Sequence, residues 1–429
     1  MNKRFAPAAA SGAVNVREIV SPGGVVAWLV EDYAVPIVAV EVAFRGGATQ
    51  DPAGRCGETM IMSGLLDEGA GDLDSQGFHR ALDEKAIEIG FHADSDKVSG
   101  RMRTLTRHLD RAGALLALSL NAPRFDEEPF DRVREQVKAH LRHEMNDPDT
   151  VAWRGFRARV FAGHPYQNAS DGTAETLDAL QRADMRARAR KLLARDALKI
   201  GVVGAIDEAR AGRLLDEAFA HLSPKAELDD VGPAPFHGVG AEQVIDLDVP
   251  QTTIRFGRPA PRREDADYIP AFVLAHILGG GTGLSSRLFR EVREKRGLAY
   301  TAYAGLSTQD HASSLTGGTT TKNERARESL DVIRGEILDM AQNAVTEEEL
   351  EKGKRYLIGS YPLRFDTSTK IAGQLVQMQL DGYGREWLVE RNERIREVTL
   401  ADAKRAAGVL FGDGALSVVM VGRPGGGGG

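Results

Sequence analysis

Apolar and polar residues alternate along two early segments of the chain, "VVAWLVED" and "PIVAVEVAFRGG". In the second segment the larger apolar residues recur at every other position, as Val38, Val40, Val42 and Phe44, while Glu41 falls on the opposite face. A period of two residues predicts β-strands with one face against a core.

Helical periodicity follows these strands. The segment "DSQGFHRALDEKAIEIG" predicts a helix that begins after the cap Asp74 and ends at Gly90. Two further segments, "LDRAGALLALSLNAP" and "PFDRVREQVKAHLRHEMND", have the apolar stripe of amphipathic helices. Blocks of strands followed by blocks of helices predict an α+β fold.

The second part of the chain repeats the first. The segment around Asp126 resembles the one around Thr346, 220 positions later, and "LKIGVVGAI" from Leu198 is echoed 218 positions later by "LSVVMVGRP" from Leu416. Two pairs at nearly one offset predict a duplicated domain. A stretch rich in Pro, Gly and Asp separates the copies, as linkers do. We therefore predict domains at 15–222 and 244–422, joined by a linker at 223–243.

Composition excludes several classes of function. The formal net charge is −7, with 55 Lys and Arg against 62 Asp and Glu and no basic block, which argues against nucleic acid or an anionic membrane as a partner. No apolar run approaches the roughly 18 residues of a spanning helix, so membrane insertion is not expected. Cys56 is the sole cysteine, which excludes a disulfide framework and a Cys-based zinc site.

The N-terminal segment "MNKRFAPAAASGAV" has the basic start and small residues of a secretory signal but lacks its apolar stretch. It is either an unstructured tail or what remains of a trimmed signal. We expect a soluble protein, and the second interpretation favours the periplasm over the cytoplasm.

A glycine-rich segment, "ILGGGTGLSSRLF", is the first candidate for a binding function, through Gly279, Gly280, Gly281 and Gly283. Backbone amides in such a loop can hold an anion. The segment lacks the Lys-Ser/Thr of a P-loop and the spacing of a dinucleotide fingerprint. A loop that contacts an extended substrate is therefore the better hypothesis.

The segment "HLRHE" places His140, His143 and Glu144 near one another on a helix. Such a spacing can present two metal ligands side by side, although it is neither HExxH nor HxxEH. A solvated polar helix face is the simpler interpretation.

The third candidate is "SSRLFREVREKRGLAYTAYAGLS", in which a helix is predicted to end at Gly297 and a strand to begin near Leu298. Arg293 then lies in the last helical turn and Tyr300 enters the strand. Together they offer two strong hydrogen-bond donors for a carbonyl oxygen. An arginine that caps a helix next to an edge strand is the structural alternative.

The order of elements, the duplication and "SRLFREVREKRGLAYTAYAG" together resemble the pitrilysin/insulysin family of inverted-motif zinc peptidases. The likeness spans about residues 15–422 and is greatest for mitochondrial processing peptidase and the bacterial two-subunit branch. Arg293 and Tyr300 match the family's arginine–tyrosine substrate-binding pair. The segments "FRGGATQDPAGRCG" and "LLDEGAG" match the frame around the family's zinc motif.

Inside that frame the zinc motif is missing. Active members carry HxxEH, in which two His bind zinc and the Glu acts as general base. This chain has Met60, Ser63 and Gly64 at the three positions. The family's third ligand, a Glu on a later helix, falls at about His140. The resemblance therefore implies a chain without a metal of its own.

The resemblance implies two homologous domains, each a mostly antiparallel sheet with helices on one face, which together form a half-shell. The half-shell would close on a second, HxxEH-containing subunit that holds the zinc, enclosing an unfolded peptide against the glycine loop. We expect this chain to be inactive alone and to act as the non-catalytic, substrate-binding subunit. The alternatives are a structural or peptide-binding scaffold of the same fold, and a stand-alone hydrolase with a metal relocated to His140, His143 and Glu144.

Overall fold

The computed structural model describes residues 15–280 and 286–425. The first half of the chain contains β1 (Arg17–Val20), β2 (Val26–Glu31), β3 (Ile37–Arg45), β4 (Glu88–Ala93), β5 (Lys97–Leu105) and β6 (Leu198–Gly204). Its α-helices are α1 (Glu58–Gly64), α2 (Ser75–Asp83), α3 (Leu109–Asn121), α4 (Glu127–Glu144), α5 (Pro148–Val160), α6 (Ala174–Asp178), α7 (Arg182–Leu192) and α8 (Glu208–Phe219).

The second half contains β7 (Glu242–Ile245), β8 (Gln251–Pro259), β9 (Ala299–Thr308), β10 (Ser313–Lys322) and β11 (Ser417–Val421). Its α-helices are α9 (Tyr268–Gly279), α10 (Ala326–Asn343), α11 (Glu347–Gly359), α12 (Ser368–Leu380), α13 (Trp387–Glu397) and α14 (Leu400–Phe411). None of the helices in the described ranges combines the length and apolarity that a membrane-spanning segment needs.

The two sheets share one topology. The first has the strand order β1-β2-β6-β3-β5-β4 and the second β7-β11-β8-β10-β9. Each sheet has a single parallel pair, β2 with β6 in the first and β7 with β11 in the second. The other pairs are antiparallel, four in the first sheet and three in the second. The predicted fold class, two mostly antiparallel sheets with helices, is therefore confirmed.

Each sheet packs its own helices against one face. Val38, Val40, Val42 and Phe44 enter the first core with residues of α1, α3, α7 and α8, as their alternation predicts. The second core joins β8 and β11 to α9, α10 and α14. Burying such apolar side chains is the main favourable contribution to folding.

The opposite face of each sheet receives a helix from the other half. Helix α5 of the first half packs on β8 and β11, and α12 of the second half packs on β3 and β6. Two glycines permit the close approach: a Cβ on Gly201 would lie 2.5 Å from the carbonyl oxygen of Ala372, and one on Gly257 would lie 2.8 Å from the ring of Phe156. The halves are thus joined by an exchange of helices.

The helix predicted after Asp74 is present but shorter than expected. Asp74 caps α2 as expected, and its carboxylate accepts a hydrogen bond from the amide of Gly77 at 2.8 Å. The helix nevertheless ends at Asp83 and not at Gly90, because Ala86 adopts a positive φ of 49° and the chain then enters β4. The chain between α8 and β7 forms no regular element, and β7 begins at Glu242, one position before the predicted end of the linker.

Candidate functional site

Helix α1 carries the positions of the missing zinc motif. Its start is held by Asp51, whose carboxylate accepts hydrogen bonds from the amides of Gly57 at 2.8 Å and Thr59 at 2.9 Å. Burial raises the pKa of Asp51 to about 6, although these hydrogen bonds oppose the shift. A buried ion pair between Glu58 and Arg188, 2.8 Å long, ties α1 to α7. The helix is therefore firmly placed.

The side chains on α1 do not fit a zinc ion. Ser63 is 1% exposed, and its hydroxyl donates to the carbonyl oxygen of Met60 at 2.8 Å. A Cβ on Gly64 would lie 3.6 Å from a methyl group of Val133, so an apolar residue of α4 faces this position. Thioether, hydroxyl and hydrogen do not replace two imidazoles and a carboxylate. The residues present cannot form the family's metal site.

His140 lies nearby without completing a site. Its imidazole is exposed, its Nε2 is 3.0 Å from a carboxylate oxygen of Glu144, and it lines the same cavity as Met60. In the described part of the chain no group of three or more His, Cys, Asp or Glu side chains is arranged to hold a metal. Of the three residues named in the relocated-metal alternative, only His140 and Glu144 lie together, and two ligands are fewer than a zinc site needs.

The structure brings Arg293 and Tyr300 together. A short π-helix, Phe289–Glu294, ends beside Gly297, whose φ of 56° turns the chain into β9. The guanidinium carbon of Arg293 lies 4.4 Å from the ring centroid of Tyr300 and 4.9 Å from that of Phe289. Both distances are typical of cation–π contacts. Tyr300 is 77% exposed, so its hydroxyl is available to a ligand.

The glycine-rich segment lies between α9 and this π-helix. Gly279 ends α9 against β9, where a Cβ would overlap the backbone nitrogen of Ala304. A Cβ on Gly280 would lie 2.7 Å from the Cα of His276. These two glycines are therefore needed for packing, whatever else they do. Gly281 and Gly283 lie outside the described residues.

A cavity of about 520 Å³ opens between the halves, next to the vacated zinc motif. Met60 and His140 line one side, and Trp153, Arg255 and Tyr303 line the other. The guanidinium of Arg255 lies 5.8 Å from the ring centroid of Trp153 and 5.5 Å from that of Tyr303, and it forms an ion pair with Asp149. Aromatic rings and a charged rim are typical of ligand sites.

Comparison with known proteins identifies the relationship. Residues 179–357 match the family model described as the peptidase M16 inactive domain. This part of the chain is similar to the M16 peptidase family. This is the pitrilysin/insulysin group that the sequence resembles, so the recognition made from the sequence is confirmed.

The relatives cover most of the chain. The non-peptidase homolog YmxG of Helicobacter pylori is 26% identical over 345 residues, which are 79% of this chain and 78% of that protein. An uncharacterized zinc protease of Rickettsia bellii is 22% identical over 391 residues, or 89% of this chain and 92% of that one. A crystal structure of a peptidase M16 inactive domain from Pseudomonas fluorescens has a TM-score of 0.88 at 24% identity and covers 95% of this chain and 98% of its own.

The sequence did not predict that α5 forms one wall of the cavity beside the zinc-motif positions. Five residues of α5 line it at helical spacing, on the face beside the buried Ala152, Phe156 and Val160. They are Asp149, Thr150, Trp153, Arg154 and Arg157. The signal was present as an amphipathic pattern with an unusually aromatic and basic polar face. What the pattern could not indicate is that this face turns toward α1 and β9.

Proposed function

We propose that this chain is the non-catalytic, substrate-binding subunit of a heterodimeric zinc metallopeptidase that cleaves peptides in an enclosed chamber. Its partner is a separate M16 subunit with an intact HxxEH motif, which supplies the zinc and the general base. Similarity to the peptidase M16 inactive domain and the replaced zinc motif support a non-catalytic role. The substrate-binding role rests on the Arg293–Tyr300 pair.

One observation carries the proposal: this chain lacks the residues of the family's zinc motif but has the residues of its substrate-binding pair. Met60, Ser63 and Gly64 supply no ligand or base at the positions of the zinc motif, and Ser63 is buried and bonded to its own helix. Arg293 and Tyr300 remain stacked at the surface, with the tyrosine ring largely exposed. A chain that only filled space would have no use for an exposed, preorganised donor pair.

The chemistry of the pair suits a peptide carbonyl. When a nucleophile adds to the scissile peptide bond, negative charge develops on the carbonyl oxygen, and donors that are already in position stabilise it. A guanidinium and a phenol are both strong donors, and the stacked ring limits the motion of the guanidinium. We infer that Arg293 and Tyr300 reach this oxygen from the chamber wall opposite the partner's site. The glycine segment beginning at Gly279 and Gly280 would border the same wall.

The names of the relatives agree with a division of labour. One relative is called a non-peptidase homolog and another a zinc protease. A family that contains both kinds of chain can assign substrate binding to one subunit and peptide-bond hydrolysis to another. The scaffold of the same fold is the other candidate, and it makes no use of the hydroxyl of Tyr300.

The decisive experiment is reconstitution. The tagged chain is purified from its native source, and a copurifying HxxEH chain is identified and expressed separately. We expect negligible hydrolysis of unfolded peptides by either chain alone and strong hydrolysis by the pair. A partner that is as active alone as in the mixture would refute the proposal. Copurification of a complex without peptidase activity would favour the scaffold.

A further inference from the structure

The cavity at the vacated zinc motif continues along the seam between the two halves. A second cavity of about 340 Å³ shares Arg157 and Ser170 with the first. A third, of about 560 Å³, shares Asp96, Arg263 and Asp310 with the second. We call this row of three cavities the seam groove. Each is within the size range of ordinary ligand sites, roughly 300–1,000 Å³.

Among the residues that the structure describes, the wall of the first cavity has one cation without an ion-pair partner. Arg154 pairs with Asp171, Arg255 pairs with Asp149, and His140 is within 3.0 Å of Glu144. These pairs account for the other charged groups on its wall.

Arg157 differs from these residues. Its Nε donates to the carbonyl oxygen of Tyr166 at 3.0 Å, and one Nη donates to Ser95 and Asn168, both at 3.1 Å. All three partners are neutral, and in the described part of the chain no carboxylate forms an ion pair with it. Asp96 attracts it only from beyond ion-pair distance and is itself bonded to the hydroxyl of Tyr166 at 2.6 Å. Burying an unpaired guanidinium is costly, so its position beside an open cavity points to an acidic ligand.

The same cavity offers an apolar surface. Trp153 is 36% and Tyr303 42% exposed, and both face the space that Met60 borders. Large aromatic side chains left open to water in a concave site usually mark recognition of another apolar group. Arg255, stacked between the two rings, holds them in place. A ligand for this site therefore needs an apolar group and a negative charge.

We propose that the seam groove binds an extended peptide segment, with an aromatic side chain packed between Met60, Trp153 and Tyr303 and a neighbouring carboxylate paired with Arg157. The proposal rests on the proposed function, because it names the peptides that this subunit selects. A single carboxylate fits better than a phosphate, since Glu144, Asp149 and Asp171 line the same cavity and would repel multiple negative charges. The vacated zinc site is thus a specificity site.

Tryptophan fluorescence tests the site in the isolated chain. Trp28 and Trp387 are 5% and 9% exposed, so quenching by acrylamide reports mainly on Trp153. The probes are blocked Gly/Ser peptides with one Phe and one Glu, and matched peptides with Phe→Ala or Glu→Gln. We expect the first peptide to protect Trp153 from quenching. The Glu→Gln peptide should bind about 10- to 100-fold more weakly, as expected for loss of a charged hydrogen bond.

Two variants test the assignment of each contact. Arg157→Gln should abolish the preference for Glu over Gln, whereas Arg159→Gln removes the same charge from the same helix away from the cavity and should preserve it. Tyr303→Ala should lower the affinity for the Phe-containing peptide by about tenfold and leave the affinity for the Phe→Ala peptide unchanged. Because Arg157 also holds neighbouring carbonyls, Tyr303→Ala tests the site if Arg157→Gln fails to fold.

The outcomes separate this proposal from the proposed function. Peptide binding detected by fluorescence anisotropy, without protection of Trp153 and without preference for Glu, would overturn the groove and leave the subunit role standing. Stronger protection by pyrophosphate or ADP than by any peptide would also overturn it. Normal groove binding together with failed reconstitution would refute the subunit role alone.

Discussion

We predict that removing the hydroxyl of Tyr300 lowers the turnover of the proposed complex without lowering the stability of this chain. Tyr300→Phe keeps the ring that lies 4.4 Å from the guanidinium carbon of Arg293, so the cation–π contact survives. The residue is 77% exposed, and an exposed substitution without lost packing changes stability by no more than about 0.5 kcal/mol. Loss of one preorganised oxyanion donor, in contrast, lowers turnover by about 10²–10³-fold, equivalent to roughly 3–4 kcal/mol.

The assay is peptide hydrolysis by the reconstituted complex, with kcat and KM measured separately. A donor that acts mainly as charge develops lowers kcat, whereas one that only holds the ground state raises KM. Thermal unfolding and subunit affinity, measured on the same preparations, should match the parent. Tyr33→Phe is the control, because Tyr33 is 62% exposed and its hydroxyl donates to Glu31 at 2.9 Å, away from the pair.

Three related variants sharpen the test. Arg293→Ala should lower kcat to a similar extent, and the double variant with Tyr300→Phe should lose less than the sum of both, because the two donors serve one oxygen. Tyr300→Ala removes one of the two aromatic rings that contact the guanidinium, so Arg293 becomes less restricted. We expect turnover to fall further than in Tyr300→Phe, by the equivalent of about 0.5–1 kcal/mol. Parental kcat for Tyr300→Phe would refute the reasoning and leave the scaffold as the better description.

Three further predictions concern the chain itself. The isolated chain should carry well under one zinc per molecule by elemental analysis, because Met60, Ser63 and Gly64 supply no ligand. Gly279→Ala should lower stability by about 1–3 kcal/mol in chemical denaturation, because its methyl group would overlap the backbone of Ala304. Burial raises the pKa of Glu41 from 4.5 to about 7, so its ionisation costs stability progressively as pH rises from 4.5 to 7. Glu41→Gln should therefore leave the free energy of unfolding unchanged below pH 4.5 and raise it above pH 7. The increase is at most about 3 kcal/mol, and solvent screening of this partly exposed group reduces it. Chemical denaturation at several pH values across this range measures it.

Local patterns predicted much of this fold. The alternation through Val38 and Phe44 gave the correct core face of β3, and the repeat offset matched the starts of α4 and α11. Arg293 and Tyr300 lie together as their positions at the end of a helix and the start of a strand suggested. These successes share a cause, because each depends on residues close in sequence or on a register that one buried face determines.

The seam between the halves could not be predicted in the same way. The apolar stripe of α5 predicts a buried face but does not say which sheet covers it, since any flat apolar surface satisfies the same pattern. Arg157 looks like an ordinary solvated residue in the sequence, and its lack of an ion pair emerges only once α5 lies across the second sheet. Contacts between distant segments determine these features, and a single sequence does not encode them locally.

The exchange of helices also determines how the two halves of this chain can move. Trp28 and Val30 of the first sheet pack with Leu375 and Met378 of α12, and a second apolar cluster joins α5 to β11. Each large buried apolar side chain contributes roughly 1.5–3 kcal/mol, so parting the halves would cost on the order of 10 kcal/mol or more, comparable to the whole stability of a domain. The two halves therefore move as one body. In the proposed complex, peptides would enter by separation of this chain from its partner, and the seam groove would be present before the complex closes.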